Sequence, residues 1–350
     1  MRNCSFHSYH CILPPDILRN VVKNGTDAQR EWAYKTMEET AQMRGQRTAI
    51  GAMRSAAVGV SPGVKRRTVY DATNKTTLPG KLVRGETDPK SKDVAVNEAF
   101  DGSGKTYDFY SKVFARNSID DRGMRLDSTV HYDAKYNNAF WNGQQMVYGD
   151  GDGQIFERFT VSLDVIGHEL THGVTQFEAG LIYKNQSGAL NESMSDVFGS
   201  LVKQYAKKQT AAKADWLIGA GLFTKKVNGV ALRSMKDPGT AYNDPLIGKD
   251  PQPAHMKNFV NTTRDNGGVH INSGITNKAF YETAIRIGGN AWEKTGKIWY
   301  ITLRDRLRPN SQFQDCANLT FAVAGELFGV GKAEQKAVQD AWDVVGIKAK

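Results

Sequence analysis

The sequence predicts an α+β fold in two lobes, the first rich in β-strands and the second helical. Three observations lead there. The chain has 350 residues, more than one hydrophobic core usually supports. Between about residues 64 and 150, short alternating runs are broken by turn residues. From Leu163 onward helical segments dominate. The lobes are expected to join near residue 180, and no internal repeat is visible.

Residues 1 to about 50 read as a separate small unit. Pro15 suits the first turn of a helix and Asn24-Gly25 its end, so a short helix is expected over Asp16 to Lys23. Thr26 and Gln29 then form a capping-box pattern. Ala33, Met37 and Ala41 recur every four residues, and Gly45 is expected to end this second helix. Two short helices bury little alone, so they should pack on the rest of the protein. From Gly51 to Gly63, Gly, Ala and Ser are frequent, as in a linker. The stretch from Arg44 to Arg54 is a plausible nicking region.

Strand-like segments follow over about 64–83, then a helix over Asp93 to Arg116. "DSTVHYD" and "QQMVYGDGDG" read as strands and a Gly-Asp-rich turn. Helices are expected at about 163–179, 188–206, 274–287, 296–308, 314–328 and 333–345.

A net charge of +9 raises the question of nucleic-acid binding. The dense basic clusters are short (Lys65 to Arg67, Lys207-Lys208, Lys225-Lys226) and carry no interleaved aromatics. They read as solvated surface, and no nucleic-acid partner is expected. No run approaches the ~20 apolar residues of a membrane span, so no membrane partner is expected either. The N-terminal residues lack the apolar core of a secretory signal peptide. A cytoplasmic precursor is expected, and export by a route that needs no such signal is left open. Three cysteines at these spacings suggest neither a zinc finger nor a structural disulfide. A monomer is expected.

"DVIGHELTHGV", Asp164 to Val174, places two histidines and a glutamate in an apolar run. His168 and His172 are four apart, so on a helix both imidazoles share one face. Both can reach one zinc ion. Glu169 projects about 100° away, beside the metal rather than onto it, as suits a base acting on metal-bound water. Two core histidines with satisfied hydrogen bonds are the plainer alternative. A hydrolytic zinc needs a third protein ligand. In "GALNESMSDVFG", Glu192 and Asp196 are again four apart on one face. If Glu192 completes the ligand set, Asp196 can accept the free N–H of one histidine, and Asn191 can do the same for the other. An exposed acidic face would explain neither their phase nor the apolar residues around them.

"HELTH", "GALNESMSD", "NNAFWNGQQMVYGDGDG" and "DNGGVHINSG" together resemble the thermolysin family of bacterial zinc endopeptidases, over roughly Thr68 to Lys348. The resemblance implies a two-lobed thermolysin-like metalloprotease with zinc in the cleft between the lobes. It implies His168, His172 and Glu192 as zinc ligands and Glu169 as general base. Tyr183 and His270 would donate to the oxyanion, with Asp265 orienting His270. Asn138 and Ala139 would hold the substrate as an added strand, and Arg233 would contact the carbonyl on the leaving side. Taken singly, Tyr183, His270 and Arg233 could each be structural. Phe156, Phe159, Val165 and Leu232 match the pocket for the residue after the scissile bond. All are apolar, so a bulky apolar residue is expected there, and Phe159 in place of the prototype's leucine hints at a tighter pocket.

The unit with "ILPPDIL" looks like the short propeptide of the protealysin branch. The expected organisation is therefore an inhibitory propeptide over 1–50, a β-rich catalytic lobe over 51–180 and a helical lobe over 181–350. A Cys4 or Cys11 thiolate could ligate zinc, although two ordinary reduced cysteines are the simpler reading. The sequence departs from the prototype at its double calcium site. Asp164 and Asp215 are kept, but the other positions read Lys203, Leu217 and Ala220. A lysine supplies no oxygen ligand, so the double site is expected to be lost, with Lys203 pairing Asp164 or Asp215 instead. The expected activity is that of a zinc endopeptidase made as a zymogen and acting on protein or peptide substrates. Activating cleavage is expected somewhere near Arg44 to Ser55. A non-catalytic zinc-stabilised relative is the alternative. It would be signalled by a missing base or oxyanion donor, and neither is missing.

Overall fold

The computed structural model describes residues 10–50 and 63–350. The chain opens with a two-residue strand, β1 (His10–Cys11), then α1 (Pro15–Asn24) and α2 (Asp27–Ile50). Thr26 and Gln29 make the expected reciprocal cap: Thr26 N–H donates to Gln29 Oε1 at 2.9 Å, and Gln29 N–H to Thr26 Oγ1 at 3.4 Å. The helix does not stop at Gly45 but runs to Ile50. One glycine costs a helix only about 1 kcal/mol, and its neighbours Arg44, Gln46 and Arg47 favour helix.

The first lobe carries β2 (Arg67–Asp71), β3 (Lys81–Arg84), α3 (Val94–Phe114), β4 (Leu126–Val130), β5 (Ala139–Trp141) and β6 (Met146–Tyr148). The six strands form one sheet in the order β1-β5-β6-β4-β2-β3. β2, β4 and β6 run parallel, while β5 and β3 are antiparallel to their neighbours. β1 pairs antiparallel with β5, so the N-terminal unit covers the edge of the sheet. The basic run Lys65 to Arg67 is not merely solvated. Lys65 pairs with Asp108, and Arg67 pairs with Glu86 and stacks on Phe100.

The helices that build the site are α4 (Leu163–Phe177) and α5 (Asn185–Lys207). They pack closely because Gly167 and Gly199 meet. A Cβ on Gly199 would lie 2.4 Å from Asp164 O and 2.9 Å from His168 N. Two short hairpins follow, β7 (Leu217–Ile218) with β8 (Arg233–Ser234), and β9 (Asn243–Asp244) with β10 (Gly248–Lys249).

Then come α6 (Asp265–Ile287), α7 (Lys294–Ile301), α8 (Phe313–Phe328) and α9 (Ala333–Val344). A wide turn, Thr302–Arg306, extends α7. α6 begins earlier than expected because its first turn is kinked. Asp265, Asn266, Gly267 and Gly268 all have positive φ. At Gly267 any Cβ would lie 2.0 Å from Asn185 Oδ1, so only glycine fits.

One apolar cluster runs through both lobes and takes in Ile12, Leu13, Ile17, Leu18 and Val21 from the N-terminal unit. Each such side chain contributes ~1.5–3 kcal/mol when fully buried. That offsets the ordering cost that the two helices could not meet alone.

Candidate metal centre and substrate edge

α4 presents His168, Glu169 and His172 to the interior, all fully buried. The two Nε2 atoms lie 3.0 Å apart. From α5, Glu192 Oε2 lies 3.5 Å from His168 Nε2, and Oε1 lies 3.4 Å from His172 Nε2. Tetrahedral ligands at ~2.0–2.1 Å from zinc are separated by ~3.3 Å, so these donors fit one zinc ion. Glu192 Oε2 and Glu169 Oε1 have no hydrogen-bond partner although both are buried. Such orphaned acceptors suit a cation. His168, Glu169 and His172 form the metal-capable cluster among the described residues.

The other ring nitrogens are engaged by protein. His168 Nδ1 bonds Asp196 Oδ1 at 2.8 Å, and His172 Nδ1 bonds Asn191 Oδ1 at 2.8 Å. With Nδ1 engaged in this way, each ring turns its Nε2 toward the other histidine and Glu192, the orientation a metal ligand needs. Ser195 Oγ, at 2.9 Å from His172 Nδ1, was not foreseen. Its signal was the same four-residue spacing, Asn191 to Ser195. Asp196 also takes Arg233 Nε and Nη2 at 2.8 Å each, and Asn277 Nδ2 at 2.8 Å. Burial alone would raise the Asp196 pKa, but Arg233 and His168 hold it far below the ordinary carboxylate range. Asn277 was likewise missed, since no local pattern marks it.

Glu169 Oε2 accepts Trp141 N–H at 3.0 Å, which ties the glutamate to β5. Burial first, then the acidic groups of Cys11 and Glu192, raise its pKa well above the usual value. A divalent cation held by His168, His172 and Glu192 would oppose that shift.

His270, on α6, is fixed by Asp265, whose Oδ1 lies 2.6 Å from Nδ1 and whose Oδ2 accepts the His270 N–H at 2.8 Å. Burial lowers the His270 pKa, yet Asp265 and Glu192 outweigh it and raise it well above 6.5. Tyr183 donates to Glu192 Oε1, and its hydroxyl lies 3.2 Å from His270 Nε2.

The sheet edge expected to take an added strand holds the chain's own. Ile12 N–H donates to Ala139 O at 3.3 Å, and Leu13 N–H to Asn138 Oδ1 at 3.2 Å. Arg233 Nη1 donates to Ile12 O at 2.9 Å, and His270 Nε2 lies 2.8 Å from Cys11 O. Phe156, Phe159, Val165 and Leu232 are all buried in the apolar cluster that contains Ile12. Cys11 turns its carbonyl to His270. Its Sγ faces Leu13 O at 3.8 Å and is not in the metal-capable cluster. Cys4 lies outside the described residues.

Beyond the centre, Lys203 Nζ pairs with both candidates, Asp164 Oδ2 at 2.7 Å and Asp215 Oδ1 at 2.8 Å. In the Gly-Asp turn, Asp150 bonds His131, and Asp152 Oδ1 accepts the backbone N–H groups of Gln154, Ile155 and Phe156.

Two histidines and a carboxylate around one point, a glutamate beside them and a peptide on the sheet edge define the class of metallopeptidases. Residues 35–176 match the thermolysin metallopeptidase catalytic domain, and residues 179–347 match the thermolysin metallopeptidase alpha-helical domain. The chain is 52% identical to an extracellular metalloprotease of Pectobacterium carotovorum subsp. carotovorum, covering 97% of this chain and 96% of that one. It is 50% identical to Protease PrtS of Photorhabdus sp. (strain Az29), covering 98% and 94%. Among solved structures it is similar to the precursor of protealysin, a metalloproteinase from Serratia proteamaculans. The TM-score is 0.89 at 52% identity, over 97% of this chain and 99% of that one. The chain belongs to the thermolysin family and is a zinc metalloendopeptidase.

Proposed function

We propose that this enzyme is a neutral endopeptidase made as a zymogen, which hydrolyses peptide bonds before bulky apolar residues. One observation carries the reading. Two buried histidine nitrogens 3.0 Å apart each lie within 3.5 Å of one oxygen of the Glu192 carboxylate, beside Glu169 and at a sheet edge already carrying an extended peptide.

His168, His172 and Glu192 hold the metal. When bound, zinc supplies Lewis-acid activation of water and of the peptide carbonyl. Glu169 takes the proton of the attacking water and returns it to the leaving amine. Trp141 N–H keeps one oxygen of Glu169 fixed, which leaves the other for this work. Asp196 and Asn191 set the tautomers of the two ligand histidines. His270, oriented by Asp265, and Tyr183 donate to the developing oxyanion. Ala139 and Asn138 hold the substrate as an added strand, and Arg233 donates to the carbonyl on the leaving side. Phe156, Phe159, Val165 and Leu232 line the pocket for the residue after the scissile bond.

Residues 1–50 act as an inhibitory propeptide, residues 51–180 as the β-rich catalytic lobe and residues 181–350 as the helical lobe. Removal of the propeptide between about Arg44 and Ser55 activates the enzyme. It works as a monomer on protein or peptide substrates, with no nucleic-acid or membrane partner. Lys203 takes the place of a double calcium site. Among the described residues no helix is long and apolar enough to cross a membrane.

The test compares the purified full-length chain with Glu169→Ala in the presence of zinc. N-terminal processing and cleavage of a peptide with leucine after the scissile bond are followed together. Loss of about the first 50 residues with activity in wild type alone, abolished by a zinc chelator, supports the reading. Activity without processing would dismiss the propeptide, and no activity after trimming by an added protease would dismiss the enzyme.

A further inference from the structure

We propose that the Cys11–Ile12 peptide bond is itself a substrate bond of this enzyme, seated in the cleft in the direction required for hydrolysis. The proposal rests on the peptidase reading above and adds a processing site distinct from the one near residue 50.

Four contacts fix the direction of the segment. Cys11 O lies 2.8 Å from His270 Nε2, the proposed oxyanion donor. Ile12 N–H points to Ala139 O at 3.3 Å, Ile12 O accepts from Arg233 at 2.9 Å, and Leu13 N–H reaches Asn138 Oδ1 at 3.2 Å. A chain laid the other way would exchange its N–H and C=O groups. It would then set carbonyls against Ala139 O and Asn138 Oδ1, and an N–H against Arg233. The residue after the bond is Ile12, fully buried and apolar, as the proposed preference demands. His270 at the Cys11 carbonyl, and the α4 base Glu169 tied to β5 through the Trp141 N–H, therefore single out one particular bond.

Hydrolysis there consumes one water. Its oxygen joins the Cys11 carbonyl carbon, the C–N bond breaks, and a proton passes to the Ile12 nitrogen. The products are a carboxylate on Cys11 and an amine on Ile12. The part beyond Ile12 does not leave. α1 stays anchored by buried Ile17, Leu18 and Val21, by Asn20 Nδ2 on Ile247 O at 2.9 Å, and by Asn24 Nδ2 on Pro245 O at 3.1 Å. The nicked chain therefore remains closed to other substrates, and the nick precedes activity on them rather than causing it.

The test uses the full chain. After zinc is added, denatured samples are taken over time for intact mass and N-terminal sequencing. Expected are a fragment Met1–Cys11 and a chain starting at Ile12, both absent from Glu169→Gln. Ile12→Asp should slow this cut at least 10-fold while processing near residue 50 continues. Wild type that processes near residue 50 or cleaves a leucine peptide, yet keeps Cys11–Ile12 intact, overturns the proposal alone. Wild type that hydrolyses nothing overturns the peptidase reading as well. A second readout needs no catalysis. In the metal-free Glu169→Gln chain, alkylation of Cys11, mapped by mass spectrometry, should speed up at least 10-fold on adding Ile12→Asp. Equal rates would show that the segment is not seated, and would overturn the proposal.

Discussion

Lys203 Nζ stands 2.7 Å from Asp164 Oδ2, and both side chains are buried between α5 and the start of α4. Asp215 at 2.8 Å and the Leu217 carbonyl at 2.6 Å complete its surroundings. Burial would lower the Lys203 pKa, but Asp164 and Asp215 raise it instead, so the ammonium is a permanent charge in the fold. Removing one partner of a buried pair leaves the other uncompensated, at a cost of about 3–5 kcal/mol. Lys203→Met is expected to lower the denaturant midpoint accordingly. With zinc held constant, millimolar calcium should not raise the melting temperature of the wild type. A calcium-dependent rise would mean that the ion still finds a site here.

Gly199 sits where α5 crosses α4, and a methyl group there would meet the Asp164 carbonyl and the His168 N–H. Both are backbone atoms and cannot swing aside. Gly199→Ala should therefore push the two helices apart, at ~1–3 kcal/mol or more. The same shift separates Glu192 from His168 and His172. Zinc content after dialysis should fall along with stability. Unchanged zinc content in a destabilised variant would show that the ligand geometry tolerates the crossing.

Much of the centre was legible because helices convert spacing into geometry. His168 and His172, then Glu192 and Asp196, each stand four apart, and one turn of helix is enough to predict which atoms converge. β1 was not legible. Two residues show no alternation, and His10–Cys11 is a strand only because β5 offers it an unpaired edge. The kink at Asn266 to Gly268 was hidden for a related reason. Glycines read as loop, whereas here they let the chain turn against Asn185 before α6 straightens. Asn277 and the Trp141 amide reach the centre through tertiary packing, on which local sequence has no bearing.

His131 bridges two carboxylates, Asp150 at 2.8 Å on Nδ1 and Asp93 at 2.7 Å on Nε2. The hydrogen bond to Asp150 outweighs burial and, with Asp93, raises its pKa to about 9 from the ordinary 6.5. The folded value lies above the unfolded one. The added stability is therefore full below about pH 6.5 and is lost as pH rises through about 9. After allowance for solvent screening, it amounts to roughly 1–2 kcal/mol. His131→Gln should be less stable than wild type by that amount at pH 6, and the gap should close by about pH 10. A gap that stays constant over this range would assign the effect to packing instead.

Asp196 joins His168 to Arg233 and Asn277, so one carboxylate holds both a histidine of the proposed metal site and the arginine that donates to the Ile12 carbonyl. Loss of such an outer partner typically weakens metal binding 10–100-fold. Asp196→Asn should show that loss in a competitive chelator titration and also raise KM, because Arg233 loses its anchor. Asn277→Ala removes one hydrogen bond and should cost about 1 kcal/mol, with a smaller change in zinc affinity. If Asp196→Asn lowered zinc affinity while KM stayed at the wild-type value, Arg233 would not depend on Asp196.

The N-terminal unit is also latched to the first lobe by Thr40 Oγ1 and Tyr136 Oη, 2.9 Å apart and buried. Thr36 Oγ1 accepts the Asn137 N–H at 3.2 Å nearby, and Lys35 pairs with Asp133 at 2.6 Å. Lys35 is half-exposed, so its pair contributes little, and the buried hydroxyl contact is the stronger tie. Tyr136→Phe removes that bond but keeps the ring packed against Tyr132 and Phe140. About 1 kcal/mol of docking should be lost, roughly a fivefold shift toward the undocked unit. Processing near residue 50 should speed up by about that factor in a time course, while kcat/KM of the fully processed enzyme changes little. Processing at the wild-type rate would mean that the unit is held by its apolar contacts alone, through Ile12, Leu13 and α1.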